Sequence, residues 1–104
     1  MKREPYALDF TKQASQHIEL LEAGEKTLVF DAIDRHVTYE PTTRTRNRKP
    51  MSRDKEMYIA PWELRVRDLR VYYGVKESDR IVVIVAVGKK SRARVKLGNR
   101  WIRS

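Results

Sequence analysis

The sequence predicts an α+β fold: an N-terminal strand and a two-helix hairpin packed on one face of a mostly antiparallel four-stranded sheet. Three observations carry this expectation. Apolar residues recur at helical spacing from Ala14 to Val37. They alternate strictly from Trp62 onward, and Ile81 to Val87 is apolar throughout. The first pattern buries one stripe of a helix, the second buries one face of a strand, and the third suits a central strand covered on both faces. A chain of 104 residues has room for one core, so a single domain over 1–104 is expected.

Tyr6 to Phe10 alternates in part and reads as a short first strand. Thr11 is placed to cap the following helix by accepting a bond from an early backbone N–H. Ala14, Ile18 and Leu21 then repeat at helical spacing, with Leu20 widening the stripe. Gly24 breaks the pattern. A second helix from about Glu25 to Tyr39 would bury Leu28, Val29, Ala32, Ile33, His36 and Val37, and Pro41 would end it. Two amphipathic helices with so short a joint need a further layer to cover them. From Glu40 to Lys55 the chain is polar, cationic and bracketed by prolines, which predicts a long exposed loop.

The remainder reads as sheet. Trp62, Leu64 and Val66 share one face of a strand. Leu69, Val71, Tyr73 and Val75 share one face of the next, with Arg70, Tyr72 and Lys76 on the other. Arg67-Asp68 is the shortest connection between them. A turn at Lys76 to Asp79 leads into the central strand. Leu97 to Ile102 would form either a last edge strand, with Trp101 packed on the sheet, or a tail ordered by a partner.

Charge points to the partner. Lysine and arginine number 23 against 14 acidic residues, a net charge of +9, which favours contact with nucleic acid, ribosomes or an acidic protein. There is no cysteine, which excludes disulfides, a thiolate nucleophile and a cysteine-ligated zinc. No apolar run reaches the roughly 20 residues that cross a bilayer, and Met1 to Tyr6 lacks the apolar stretch of a secretory signal. A cytoplasmic protein without membrane association is expected. No metal-ligand spacing, P-loop or nucleophile elbow occurs, so neither metal nor cofactor is expected. His17 and His36 fall in the helices and read as packing or surface residues.

A two-residue turn sets Val66 opposite Leu69, and Arg65 then lies directly across from Arg70. Like charges so placed repel. Either the pair grips an anion, since arginine forks match phosphate oxygens, or Glu63 on the same face neutralises it. Lys89, Lys90, Arg92, Arg94, Lys96, Arg100 and Arg103 follow the central strand, where Gly88 would let the chain turn. With Arg44, Arg46, Arg48, Lys49 and Arg53 of the loop they would form a basic rim around Arg65 and Arg70. Tyr72 and Tyr58 offer rings for base stacking. Chemistry on such a face would rest on positioning and on cationic stabilisation of a developing phosphorane.

The segment from Trp62 to Val75 resembles the hairpin of the RelE/ParE family of bacterial toxins, in which a Leu-Arg-x-Gly-x-Tyr-Arg-x-x-Tyr pattern is common. Ile84-Val-Ala-Val-Gly-Lys-Lys, with Arg92 close behind, is similar to that family's last core strand and basic exit, and Pro41 to Pro50 is similar to a loop in one branch. The resemblance implies a RelE-like fold and the toxin of a type II toxin–antitoxin pair, bound by an acidic or amphipathic antitoxin segment. One branch cuts messenger RNA in the ribosomal A site, and the ParE branch inhibits DNA gyrase instead. For the nuclease branch, which is the leading expectation, the resemblance gives phosphate-stabilising roles to Arg70 and Lys90. Arg65 and Arg92 support them, while Arg46, Arg48, Lys49, Tyr72, Lys89, Arg94 and Lys96 contact RNA. An inactive basic module that only binds an antitoxin is a further alternative. The chain departs from the nuclease pattern at Pro61 and Glu63, where outward lysines are usual, at Lys96, where a tyrosine is, and at Arg67, which replaces the turn glycine.

Overall fold

The computed structural model describes residues 4–51 and 59–103. Strand β1 (Ala7–Phe10) leads into helix α1 (Lys12–Glu19) and helix α2 (Ala23–His36). Strands β2 (Arg48–Pro50), β3 (Trp62–Val66), β4 (Leu69–Lys76), β5 (Ile81–Ser91), β6 (Arg94–Leu97) and β7 (Arg100–Arg103) complete the order. The sheet runs β2-β3-β4-β5-β6-β7 with every neighbour antiparallel, while β1 joins β5 in parallel.

The sheet therefore has seven strands rather than the expected four. The extra ones come from segments whose charge hides their alternation. Arg48–Pro50 pairs with β3 as an edge strand inside the segment expected to be all loop. The basic tail folds into the β6–β7 hairpin, with Val95, Leu97 and Ile102 buried and Gly98 at positive φ in its turn. Trp101 does not pack into the core; the residue is 46% exposed, its ring flanked by the cations of Arg94 at 5.4 Å and Lys96 at 5.8 Å.

Local signals account for the helix ends. The Thr11 hydroxyl accepts the Ala14 N–H at 3.0 Å, as its type at that position predicts. The helix joint falls at Leu20 and Leu21 rather than at Gly24, which sits in the first turn of α2. Glu22 starts that helix through a reciprocal capping box with Glu25, a stronger signal than one glycine. Leu20 is 64% exposed and does not widen the buried stripe. The second helix stops at His36, short of Pro41. Buried Pro41 offers its carbonyl to the Tyr73 hydroxyl at 2.6 Å, tying this connection to the sheet.

Two clusters sandwich the sheet. On the helix side Ala14, Ile18, Val29, Ile33 and Val37 meet Leu64, Val71, Tyr73, Val82, Ile84 and Val87. On the far side Ala60, Tyr72, Ala86, Val95, Leu97 and Ile102 form a smaller one. The uninterrupted apolar character of β5 follows from lying between them.

Beyond its β4 edge, β5 is shared by three elements. Phe10 ends the β1 pairing at Ile84, and β6 takes over at Gly88. In the gap the register against β4 shifts, with Tyr72 opposite Ala86 and Tyr73 opposite Ile84, so Val85 bulges. Helix α1 fills the gap. The Thr11 hydroxyl and the Gln13 amide donate to the Val85 carbonyl at 2.9 and 3.1 Å, and the Val87 N–H donates to His17 Nδ1 at 3.2 Å.

His17 thus accepts a bond only as neutral imidazole, and burial, with the Arg100 charge, holds its pKa below the ordinary 6.5. A depressed histidine pKa contributes stability that is complete above 6.5 and lost as pH falls below it, because the unfolded chain takes up the proton first. Stability measured by chemical denaturation should decline from about pH 6.5 to about pH 5 more steeply in the wild type than in His17→Gln. Equal slopes would refute this.

Candidate nucleic-acid interface

The pleat divides the basic residues between the two sides of the sheet. The two-residue Arg67-Asp68 turn gives the expected register: Val66 opposite Leu69, Leu64 opposite Val71, Trp62 opposite Tyr73 and Arg65 opposite Arg70. Arg67 adopts φ 57, the conformation for which glycine is the usual choice. Since Leu64 and Val71 face the helices, Arg65 and Arg70 face away from them. Lys49 pairs with Glu63 in the β2–β3 register and joins the same side. Gly88 lies opposite Arg70, so Lys90, two residues on, shares that face as a diagonal neighbour of Arg70 at roughly 7–8 Å.

Arg65, Arg70, Lys90 and Lys49 are thereby brought together by four successive strands. Arg70 is only 8% exposed, and its Nη1 donates to the carbonyls of Arg67 at 2.7 Å and Leu69 at 2.9 Å. Those bonds aim the guanidinium from the hairpin turn and leave part of its five-donor capacity for other acceptors. The Lys90 N–H donates to the Asp68 carbonyl at 2.6 Å, fixing the backbone of β5 against the same turn. Glu63 sits among these cations, 3.0 Å from Arg65 Nε and 3.8 Å from Lys49 Nζ. Of the two sequence readings of the arginine pair, neutralisation by Glu63 holds for Arg65, while Arg70 is held by carbonyls.

Gly88 is not a turn. It lies within extended β5, and a Cβ there would meet Leu97 Cδ2 and Val95 Cγ1 at 2.6 Å. Its requirement for glycine comes from the β6 hairpin closing over it, which only the final topology reveals.

Other expected site residues lie elsewhere. Tyr72 is 1% exposed within the far-side cluster, so its ring offers no stacking surface. Burial, with the Glu63 charge, pushes its phenol well above the ordinary range. Arg48 is 5% exposed and serves the fold: Nη1 donates to the carbonyls of His36 and Glu40, and its guanidinium pairs with the Glu40 carboxylate. Lys89 lies on the helix side, bound to Glu25 at 2.8 Å, and that bond raises the Lys89 pKa and lowers that of Glu25. Lys96 faces the same way and lines a cleft of about 290 Å³ with His17, Leu20 and Glu25. Arg94 shares the Lys96 side of β6, beside Trp101. Arg44 and Arg46 are exposed ahead of β2, and Arg92 is exposed in the β5–β6 turn at φ 58. Arg53 and Tyr58 lie outside the described residues.

Strand alternation gives the side taken by each residue of β3 and β4, whereas in the tail the density of charge masks the alternation of β6 and β7. Glu63 was visible as a neutraliser. Its central place among the cations depends on β2, which supplies Lys49.

No family model matches the chain, and no curated protein matches it in sequence. Solved structures do match. The toxin–antitoxin complex RelBE2 of Mycobacterium tuberculosis aligns with a TM-score of 0.70 and 24% identity, covering 86% of this chain and 95% of that one. An archaeal RelE–RelB complex from Pyrococcus horikoshii gives 0.63 and 22%, covering 85% and 98%. The isolated RelE toxin of E. coli gives 0.59 and 19%, covering 84% and 86%. The chain has the RelE fold.

Binding of a single-stranded RNA to the outer face should weaken with salt, each phosphate contact contributing roughly 0.7 to the log–log slope. Arg65→Ala and Arg70→Ala should each lower that slope by about one contact, and Lys96→Ala should leave it unchanged. Fluorescence anisotropy across a salt series checks this, and an equal loss in all three variants would rule out a one-sided interface.

Proposed function

We propose that this chain is the toxin of a type II toxin–antitoxin pair and that it inhibits translation by cutting messenger RNA on the ribosome. The observation that carries the reading is the co-facial placement of Arg65, Arg70 and Lys90 on adjacent strands of a RelE-fold sheet. Arg70 presents a guanidinium oriented by backbone carbonyls, and Lys90 adds a point charge diagonal to it. Together they stabilise charge that develops on the phosphate, the role for which preorganised donors are most effective. Arg65, Lys49 and Arg92 extend the cationic track, and the exposed Arg44 and Arg46 meet ribosomal RNA.

The antitoxin would cover this face with an acidic segment. An amphipathic helix from it would suit the apolar groove between α1 and α2, where Phe30 is 46% exposed and packs on Phe10 at 6.0 Å. Gyrase inhibition is the second reading. What favours it is that Lys96, at the position of the nuclease pattern's tyrosine, faces the helix side, and that Tyr72 is buried.

Purified protein on programmed ribosomes should produce cuts in the A site, mapped by primer extension, and Arg70→Ala should reduce their rate by about 100-fold or more. Intact message with folded protein, together with blocked supercoiling by gyrase, would replace this reading with the second.

A further inference from the structure

Within the ribonuclease reading, on which this inference rests, we propose that Glu63 is the general base. It would take the proton from the ribose 2′-hydroxyl beside the scissile phosphate. Glu63 is the only carboxylate carried by strands β2 to β5. It occupies the centre of the outer face, opposite Lys49 on one side and Tyr72 on the other. Among the described residues two cations reach it, Arg65 Nε at 3.0 Å and Lys49 Nζ at 3.8 Å.

Tyr72, Lys96 and the arginines are ruled out by geometry or charge, and Lys49 and Lys90 serve in this reading as the cations that hold the phosphate. Tyr72 is buried in the far-side cluster, and that burial holds the proton on its phenol. Lys96 faces the opposite side of the sheet. Arginine does not deprotonate.

The arrangement also couples the base to its substrate. Arg65 and Lys49 restrain Glu63 while the face is empty. An entering phosphate offers the same cations its own oxygens, bidentate for Arg65, and draws them from the carboxylate. The carboxylate then stands beside a phosphodiester with freed acceptor capacity. Glu63 accepts the 2′-hydroxyl proton, the 2′-oxygen bonds to phosphorus, and the P–O5′ bond breaks. The departing 5′-oxygen takes a proton from solvent. The products are a 2′,3′-cyclic phosphate and a 5′-hydroxyl, with no oxidant, metal or net water consumed.

The test compares wild type, Glu63→Gln and Glu63→Asp in single-turnover cleavage on programmed ribosomes across a pH series, with ribosome binding measured by co-sedimentation. Glu63→Gln should bind ribosomes as wild type does, cleave about 100-fold or more slowly, and lose the acidic limb of the pH–rate profile, while Glu63→Asp restores part of the rate. Cleavage by Glu63→Gln within about tenfold of wild type, with the same profile, would reduce Glu63 to a neutraliser and leave the nuclease reading intact. If wild type cuts nothing, the nuclease reading falls and this inference with it. Should Glu63→Gln fail to fold by circular dichroism, the wild-type profile decides: an acidic limb of unit slope supports the assignment, and a flat profile overturns it.

Discussion

The hand-over along one edge of β5 is the constraint on which the rest of the molecule depends. A strand in the middle of a sheet must satisfy its backbone on both edges, and here one edge is occupied in sequence by β1, by α1 and by β6. The parallel pairing with β1 places the first turn of α1 against the bulge at Val85. Thr11 then serves twice, capping its own helix and satisfying the carbonyl that the bulge exposes. Without the bulge, the residues after Val85 would exchange sides. Val87 would leave the core, and Lys90 would leave the face it shares with Arg70.

The outer face is an electrostatic compromise. Arginines opposite one another across a ladder repel, and a surface ion pair recovers little, about 0–1 kcal/mol. Glu63, its side chain 9% exposed, is shared between two of the cations. Arg70 is held by carbonyls of the turn instead. The face therefore holds one arginine restrained by an acid and one aimed by the backbone. In the proposed ribonuclease reading, that asymmetry would give the face distinct positions for a phosphate and for a proton acceptor.

Much of this was legible in the sequence, wherever periodicity was clean. Thr11, the β3–β4 register and the central character of β5 follow from side-chain type and spacing. What escaped depended on long-range closure. Arg48 looked like one more loop cation, yet burial and the carbonyls of His36 and Glu40 make it a structural brace. The aromatic ring of Tyr72 looked available because its alternation put it beside Arg70, and the second core that buries it is built from Val95, Leu97 and Ile102 of the unrecognised hairpin. Lys89 and Lys90 are adjacent in sequence and opposite in fate: one is bound to Glu25 beneath the helices, the other lies on the outer face.

The two-residue turn at Arg67-Asp68 couples the persistence of the surface to that of the interior. Side chains on a strand alternate, so a one-residue slip of β3 against β4 would carry Arg65 and Glu63 inward and turn Trp62 and Leu64 toward water. The chain cannot shed its cationic face by slippage and keep its core.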